Sequence, residues 1–162
     1  MTTAEGIIGR LSAQGATVAV AESLTGGLVC GALTAVPGAS ACVAGGVVAY
    51  AERLKSQMLG VDADLVERHG AVDPQVAAQM AEGVRAALGS TYGVATTGAA
   101  GPDAAPGGTQ AAPVAPGTAY VAVAGPRGTQ VRRLDLAGSR AEIRDRAVVE
   151  ALDCLSLELD RA

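Results

Sequence analysis

Three short runs of small apolar residues constrain this chain more than any other feature. "TVAVAES" (17–23), "GGVVAY" (45–50) and "YGVATTG" (92–98) are bounded by glycine or polar residues and separated by longer stretches with helical spacing. Short apolar runs without polar alternation read as strands buried on both faces, the kind that helices cover from two sides. The 162 residues include no Phe and no Trp but 22 glycines. The core must then be built from Ala, Val, Leu and Ile, and the glycines suit close packing of helix on sheet and tight turns.

The stretches between these runs carry helix signals. Ile7, Ile8 and Leu11 mark a first helix, and "LTGGLVCGALTAV" (24–36) a second with a glycine-rich first turn. "ERLKSQMLG" (52–60) and "DADLVERHG" (62–70) are short helices, each closed by a glycine. "DPQVAAQMAEGVRAALG" (73–89) opens with Asp73 as N-cap and Pro74 as first helical residue, and closes at Gly89. Ser139 and Glu142 supply the two arms of a capping box, and Ile143, Ala147, Ala151 and Leu155 give the helix behind it an apolar face. "TAYVAVAG" (118–125) and "TQVRRLDL" (129–136) read as a hairpin around Pro126-Arg127-Gly128. The pattern predicts a single α/β domain over residues 1–162: a three-layer α/β/α sandwich around a mixed, mostly parallel sheet. Residues 99–116 are the one low-complexity segment, read either as a disordered linker or as a functional loop such as a lid.

Charge and composition remove several function classes. A net charge of −4 with no basic cluster argues against nucleic acid. No basic-then-apolar opening marks a signal peptide, and no apolar stretch is long enough to span a bilayer. Cys30, Cys42 and Cys154 are odd in number and form no CxxC pair, so they read as buried hydrophobes in a reducing, cytoplasmic setting. One histidine and three scattered cysteines argue against a zinc site. His69 sits at a helix end before Gly70, where it is expected to bond the last carbonyls rather than move protons.

Two candidate binding segments lie where strands end. Glu22-Ser23-Leu24-Thr25-Gly26-Gly27 follows the first strand, and Thr96-Thr97-Gly98-Ala99-Ala100-Gly101-Pro102 follows the third. Ligands of open α/β sheets bind at the carboxyl ends of strands, and glycine-rich turns there offer N–H and hydroxyl donors to a phosphate or carboxylate. Neither stretch is a Walker A or GxGxxG loop, and each glycine has the alternative role of permitting a tight turn.

Lys55 is the only lysine beside eleven arginines. Arginine stays charged, whereas a desolvated lysine can give up its proton, so the retained lysine reads either as a place where an amine is needed or as an exposed helix residue kept by chance. Ser40 lies after Pro37-Gly38, Tyr50 at a strand end, and Lys55 in the first turn of the next helix. Ser40 there is either a helix cap or a nucleophile. A neutral lysine can activate a serine without histidine. The Tyr-x-x-x-Lys of short-chain dehydrogenases is not matched: one residue too many separates Tyr50 from Lys55, and no N-terminal dinucleotide loop is present.

"AESLTGG", "PGAS" with "GGVVAY" and Lys55, "HGAVD", "TTGAAGPD" and the late "GSR" together resemble the C-terminal domain of the competence/damage-inducible protein CinA, across roughly residues 5–157. The resemblance implies a nicotinamide-nucleotide amidohydrolase that converts nicotinamide mononucleotide to nicotinic acid mononucleotide and ammonia, with no metal or cofactor. It implies a catalytic Ser40, Tyr50 and Lys55. Substrate contacts would come from Ser23, Thr25, Gly26, Gly27, Thr97, Gly98, Gly101 and Pro102, with Arg140 or Arg144 as the late arginine. It also implies a homo-oligomer, a dimer. In many relatives a molybdopterin-binding-like domain precedes this one; its absence from these residues is expected either of a stand-alone deamidase or of a fragment of a longer protein. The chain departs from the family in having Tyr50-Ala51-Glu52 for Tyr-Ser-Asn, Ala39 for a second serine, and a longer loop after Pro102. Those departures leave a non-catalytic nucleotide-binding or partner-binding module as the second function expected.

Overall fold

The structure, a computed structural model, describes residues 2–162. Strands β1 (Val18–Glu22), β2 (Val43–Val48), β3 (Tyr92–Gly98), β4 (Thr118–Gly125) and β5 (Gly128–Asp135) form one sheet in the order β2-β1-β3-β4-β5. β1 pairs in parallel with β2 and β3, while β3–β4 and β4–β5 are antiparallel. Four strands therefore run one way and β4 alone runs back, because β4 and β5 are the two arms of the hairpin around Pro126 and Arg127.

The strands sort their side chains by size. Val18, Val20, Val94, Val121 and Val123 face the layer made by α1 (Ala4–Gln14), α2 (Leu28–Thr34) and α6 (Arg140–Leu159). Ala19, Ala21, Ala95, Ala122 and Ala124 face the opposite layer, made by α3 (Glu52–Leu59), α4 (Ala63–His69) and α5 (Pro74–Leu88). This is the three-layer sandwich, and its alanine face explains how a core without large aromatics closes. Small side chains let α5 settle nearly onto the sheet. A Cβ on Gly93 of β3 would overlap the Ala81 carbonyl of α5, and a Cβ on Gly83 of α5 would overlap the Leu59 carbonyl at the end of α3. Two glycines thus set the distances from sheet to α5 and from α5 to α3.

Local signals in the sequence fix the helix ends. Asp73 accepts from the Gln75 and Val76 N–H groups ahead of Pro74, and Gly89 closes α5 in the left-handed conformation at φ 63°. Ser139 and Glu142 complete both arms of the capping box on α6. His69 Nδ1 lies 3.2 Å from the Asp73 carboxylate, so it ties the end of α4 to the N-cap of α5 instead of bonding α4's own carbonyls. The 99–116 segment is packed, not a linker. Ala105 and Val114 exchange two backbone hydrogen bonds of 2.8 Å, and Thr109 and Gln110 N–H groups bond the Glu67 and Arg68 carbonyls of α4 at 2.9 and 2.8 Å. No helix among the described residues is long and apolar enough to cross a membrane.

The close approach of α5 to α3 yields a stability test. Gly83→Ala is expected to cost about 1–3 kcal/mol, the range for overpacking a filled site. Gly9→Ala, in open space on α1, is expected to gain up to about 1 kcal/mol from helix propensity. Urea unfolding of the two variants measures both. Equal effects would show that α5 and α3 are not held at contact by Gly83.

Candidate active site

Parallel pairing brings the carboxyl ends of β1, β2 and β3 to one edge of the sheet. Ser23 follows β1, Ala49 and Tyr50 follow β2, and Gly98 ends β3. The chain turns at Ala51 into α3, which carries Lys55 back over that edge. Lys55 is 1% exposed and heads the fully buried side chains by volume. Its Nζ donates to the Ala49 carbonyl at 2.8 Å and to Ser23 Oγ at 3.2 Å. Burial pushes the Lys55 amine below its ordinary value, while the Glu52 carboxylate pulls it the other way. Ser23 is itself 9% exposed, and its N–H is fixed on the Thr96 carbonyl at 3.0 Å.

Ser23 and Lys55 lie at a cavity of about 410 Å³. Thr97, Gly98, Gly101 and Pro102 form one wall, with Asp103, Ala105 and Pro106 of the long loop beyond them. Tyr50, Glu52 and Arg140 supply the exposed side. Tyr50 is 60% exposed, and its hydroxyl accepts from Arg140 at 3.0 Å rather than bonding Lys55 or Ser23. Arg140 also donates to the Gly101 carbonyl at 2.7 Å. Both partners are neutral, and Arg140 makes no salt bridge among the described residues.

Ser40 is not at this site. It lies exposed in a short 3-10 turn, Ala39–Ala41, that precedes β2. Tyr50 and Lys55 follow β2, so the strand carries them to the opposite edge of the sheet, roughly 20 Å away at about 3.3 Å per residue. The serine beside the lysine is Ser23. The signal that identifies it was in the sequence: of the two serines, only Ser23 stands after a strand, where open α/β sheets place their ligands.

The two glycine segments also separate. The second lines the cavity from Thr97 to Pro102, and Thr97 Oγ1 is held on the Ala71 carbonyl at 2.7 Å. In the first, Thr25, Gly26 and Gly27 are outside the cavity lining. Gly26 and Gly27 take positive φ values of 58° and 105° to make the turn into α2. The start of α2 already has its anion, because the Glu22 carboxylate accepts from Val29 and Cys30 N–H at 2.9 and 3.0 Å. Thr25 and Thr96 hydroxyls share a buried hydrogen bond of 2.7 Å. Arg144 packs behind this turn, donating to the Leu24 carbonyl at 2.9 Å and the Thr25 carbonyl at 3.4 Å. Of the two late arginines, Arg140 reaches the cavity and Arg144 props the turn that holds Ser23.

Other nucleophiles and metals are poorly served. Cys30, Cys42 and Cys154 are free thiols, and burial raises all three, Cys154 to about 11. Among the described residues no group of three or more His, Cys, Asp or Glu side chains is placed to hold a metal ion.

Known proteins share this fold. The family profile described as the CinA C-terminal domain matches residues 1–159. A CinA-like protein of Frankia casuarinae is 52% identical over 147 residues, covering 91% of this chain and 33% of the relative. One from Anaeromyxobacter dehalogenans is 50% identical over 153 residues, covering 94% and 36%. The chain thus spans about a third of the length of these curated relatives. Among solved structures, the competence/damage inducible protein CihA of Agrobacterium tumefaciens superposes with a TM-score of 0.87 at 37% identity, covering 97% of this chain and 93% of that one. A CinA superfamily protein of Klebsiella pneumoniae gives 0.90 at 27% identity, with 98% and 96% covered. The chain belongs to the CinA C-terminal domain family.

Proposed function

We propose that this domain is a serine amidohydrolase of pyridine nucleotides, converting nicotinamide mononucleotide to nicotinic acid mononucleotide and ammonia, with Ser23 as nucleophile and Lys55 as its base. The observation that carries this reading is the 3.2 Å contact between Ser23 Oγ and a lysine amine removed from water. A desolvated amine spends more of its time neutral, and a neutral amine can take the hydroxyl proton. The Ala49 carbonyl keeps an N–H of the amine engaged, which leaves the lone pair free to turn toward Ser23.

Ser23 Oγ attacks the carboxamide carbon as its proton passes to Lys55. The Leu24 N–H makes no backbone hydrogen bond and follows the nucleophile directly, the usual place for a donor to the developing oxyanion. Lys55 then returns the proton to the departing nitrogen, and ammonia leaves an acyl-Ser23. Water, deprotonated by the same amine, releases the acid. Arg140, charged and without a salt bridge at the exposed side, suits the substrate's phosphate, and Tyr50 orients it. A phosphate held away from the reacting carbon contributes binding energy that can be used at that carbon. Location in the cytoplasm and assembly as a dimer remain part of this proposal.

Two expectations separate this chemistry from simple nucleotide binding. Ser23→Ala should abolish ammonia release from nicotinamide mononucleotide, whereas Ser40→Ala, on the far edge of the sheet, should stay within twofold of wild type. Steady-state ammonia assays of both variants decide it, and loss of activity in Ser40→Ala with retention in Ser23→Ala would reverse the assignment.

Lys55→Arg should lose at least about 100-fold in kcat, because guanidinium keeps its proton above about pH 12 and cannot serve as base. Wild-type kcat should rise with pH as the amine loses its proton, and since burial lowers that proton's affinity, the rise should begin below the ordinary lysine range. A flat profile, or a folded Lys55→Arg enzyme within a few-fold of wild type, removes the lysine from the chemistry.

A further inference from the structure

Glu52 is the first residue of α3, one turn before Lys55, and it lines the same cavity. Its carboxylate takes part in no hydrogen bond and no salt bridge among the described residues, and this holds for Asp103 on the facing loop. Some acids elsewhere in the chain serve the fold: Glu22 caps α2, Asp73 caps α5 and Glu142 completes a capping box. The cavity therefore carries a guanidinium without a salt bridge at Arg140 and carboxylates without one at Glu52 and Asp103. A ligand that was only anionic would be drawn to Arg140 and opposed by both acids. A ligand bearing a cation and an anion at separate places satisfies all of them.

We propose that Glu52 is a specificity-determining residue: its carboxylate reads the positive charge of a quaternary ring, so that the site takes the oxidised, cationic pyridinium and rejects a ring-neutral analogue of the same size. The inference rests on the pyridine-nucleotide reading above and goes beyond it. The phosphate and ribose are common to oxidised and reduced mononucleotides, and the two carboxamides have the same shape. Ring charge is the property that distinguishes them, and Glu52 is the unpartnered acid on the helix that also carries the base. The Glu52 carboxylate also favours the charged form of the Lys55 amine, which lines the same cavity.

The test uses nicotinamide mononucleotide and its 1,4-dihydro form as probes, titrated calorimetrically into Ser23→Ala protein so that nothing turns over. With Glu52 present, the oxidised probe should bind about five- to tenfold more tightly, the scale of one near, partly solvated charge pair. In Ser23→Ala/Glu52→Gln that ratio should collapse toward one, and Glu52→Asp should restore part of it. Binding of both probes with the ratio unchanged by Glu52→Gln overturns the role of Glu52 and leaves the nucleotide reading intact. A Glu52→Gln that weakens both probes equally also overturns it. Binding of neither probe to either protein removes the nucleotide reading, and the role of Glu52 with it.

Discussion

The buried amine of Lys55 is the feature to which the rest of this structure answers. Taking an ammonium out of water costs several kcal/mol unless it is well paired or loses its proton. Here the amine meets a carbonyl and a hydroxyl, partners that serve it in either state and that leave the charged form poorly compensated. The cost has a sign in pH. The folded state gives up the Lys55 proton more readily than the unfolded chain, so between the lowered value and about 10.4 the unfolded state binds more protons and stability rises with pH. Below that window the fold carries the full penalty of a charged, buried amine. Such a cost is usual where a group must be kept reactive.

The alanine face of the sheet sets how closely the layer that contains α3 and Lys55 can approach. Ala19, Ala21, Ala95, Ala122 and Ala124 let α5 lie low, and Gly83 lets the end of α3 lie against α5. A larger side chain at Gly83 would press on the Leu59 carbonyl at the end of α3, the helix that carries Lys55. On the other face, valines and the longer side chains of α1, α2 and α6 fill a conventional core. Arg144 reaches through that layer to hold the carbonyls of Leu24 and Thr25. The turn that holds Ser23 is thus braced from one face, and Lys55 is clamped from the other.

Much of this was legible in the sequence, and what was missed has one physical source. Capping residues such as Asp73 and Ser139, the closing glycines and the apolar runs act over a few residues, so strands, helices and the hairpin could be read directly. The choice of serine is a tertiary matter. Ser40 is nearer to Lys55 along the chain, but β2 lies between them and carries its two ends to opposite edges of the sheet. Ser23 is 32 residues from Lys55 and meets it only because β1 and β2 run parallel with Glu22 opposite Val48. Likewise, the first glycine segment has the composition of an anion cradle, and nothing local says that Glu22 already fills it. Residues 99–116 look featureless because their order comes from α4, through the Glu67 and Arg68 carbonyls.

A single lysine makes the central claim directly measurable. Protein grown with lysine labelled by carbon-13 at the ε position gives one side-chain resonance, that of Lys55, with no assignment needed. Followed by NMR across pH on the folded protein, this signal should titrate with a midpoint clearly below the ordinary lysine value of about 10.4, and the Ser23→Ala variant should shift it. A midpoint at or above the ordinary value, unchanged by loss of the Ser23 hydroxyl, would contradict an amine held by burial as the base for Ser23.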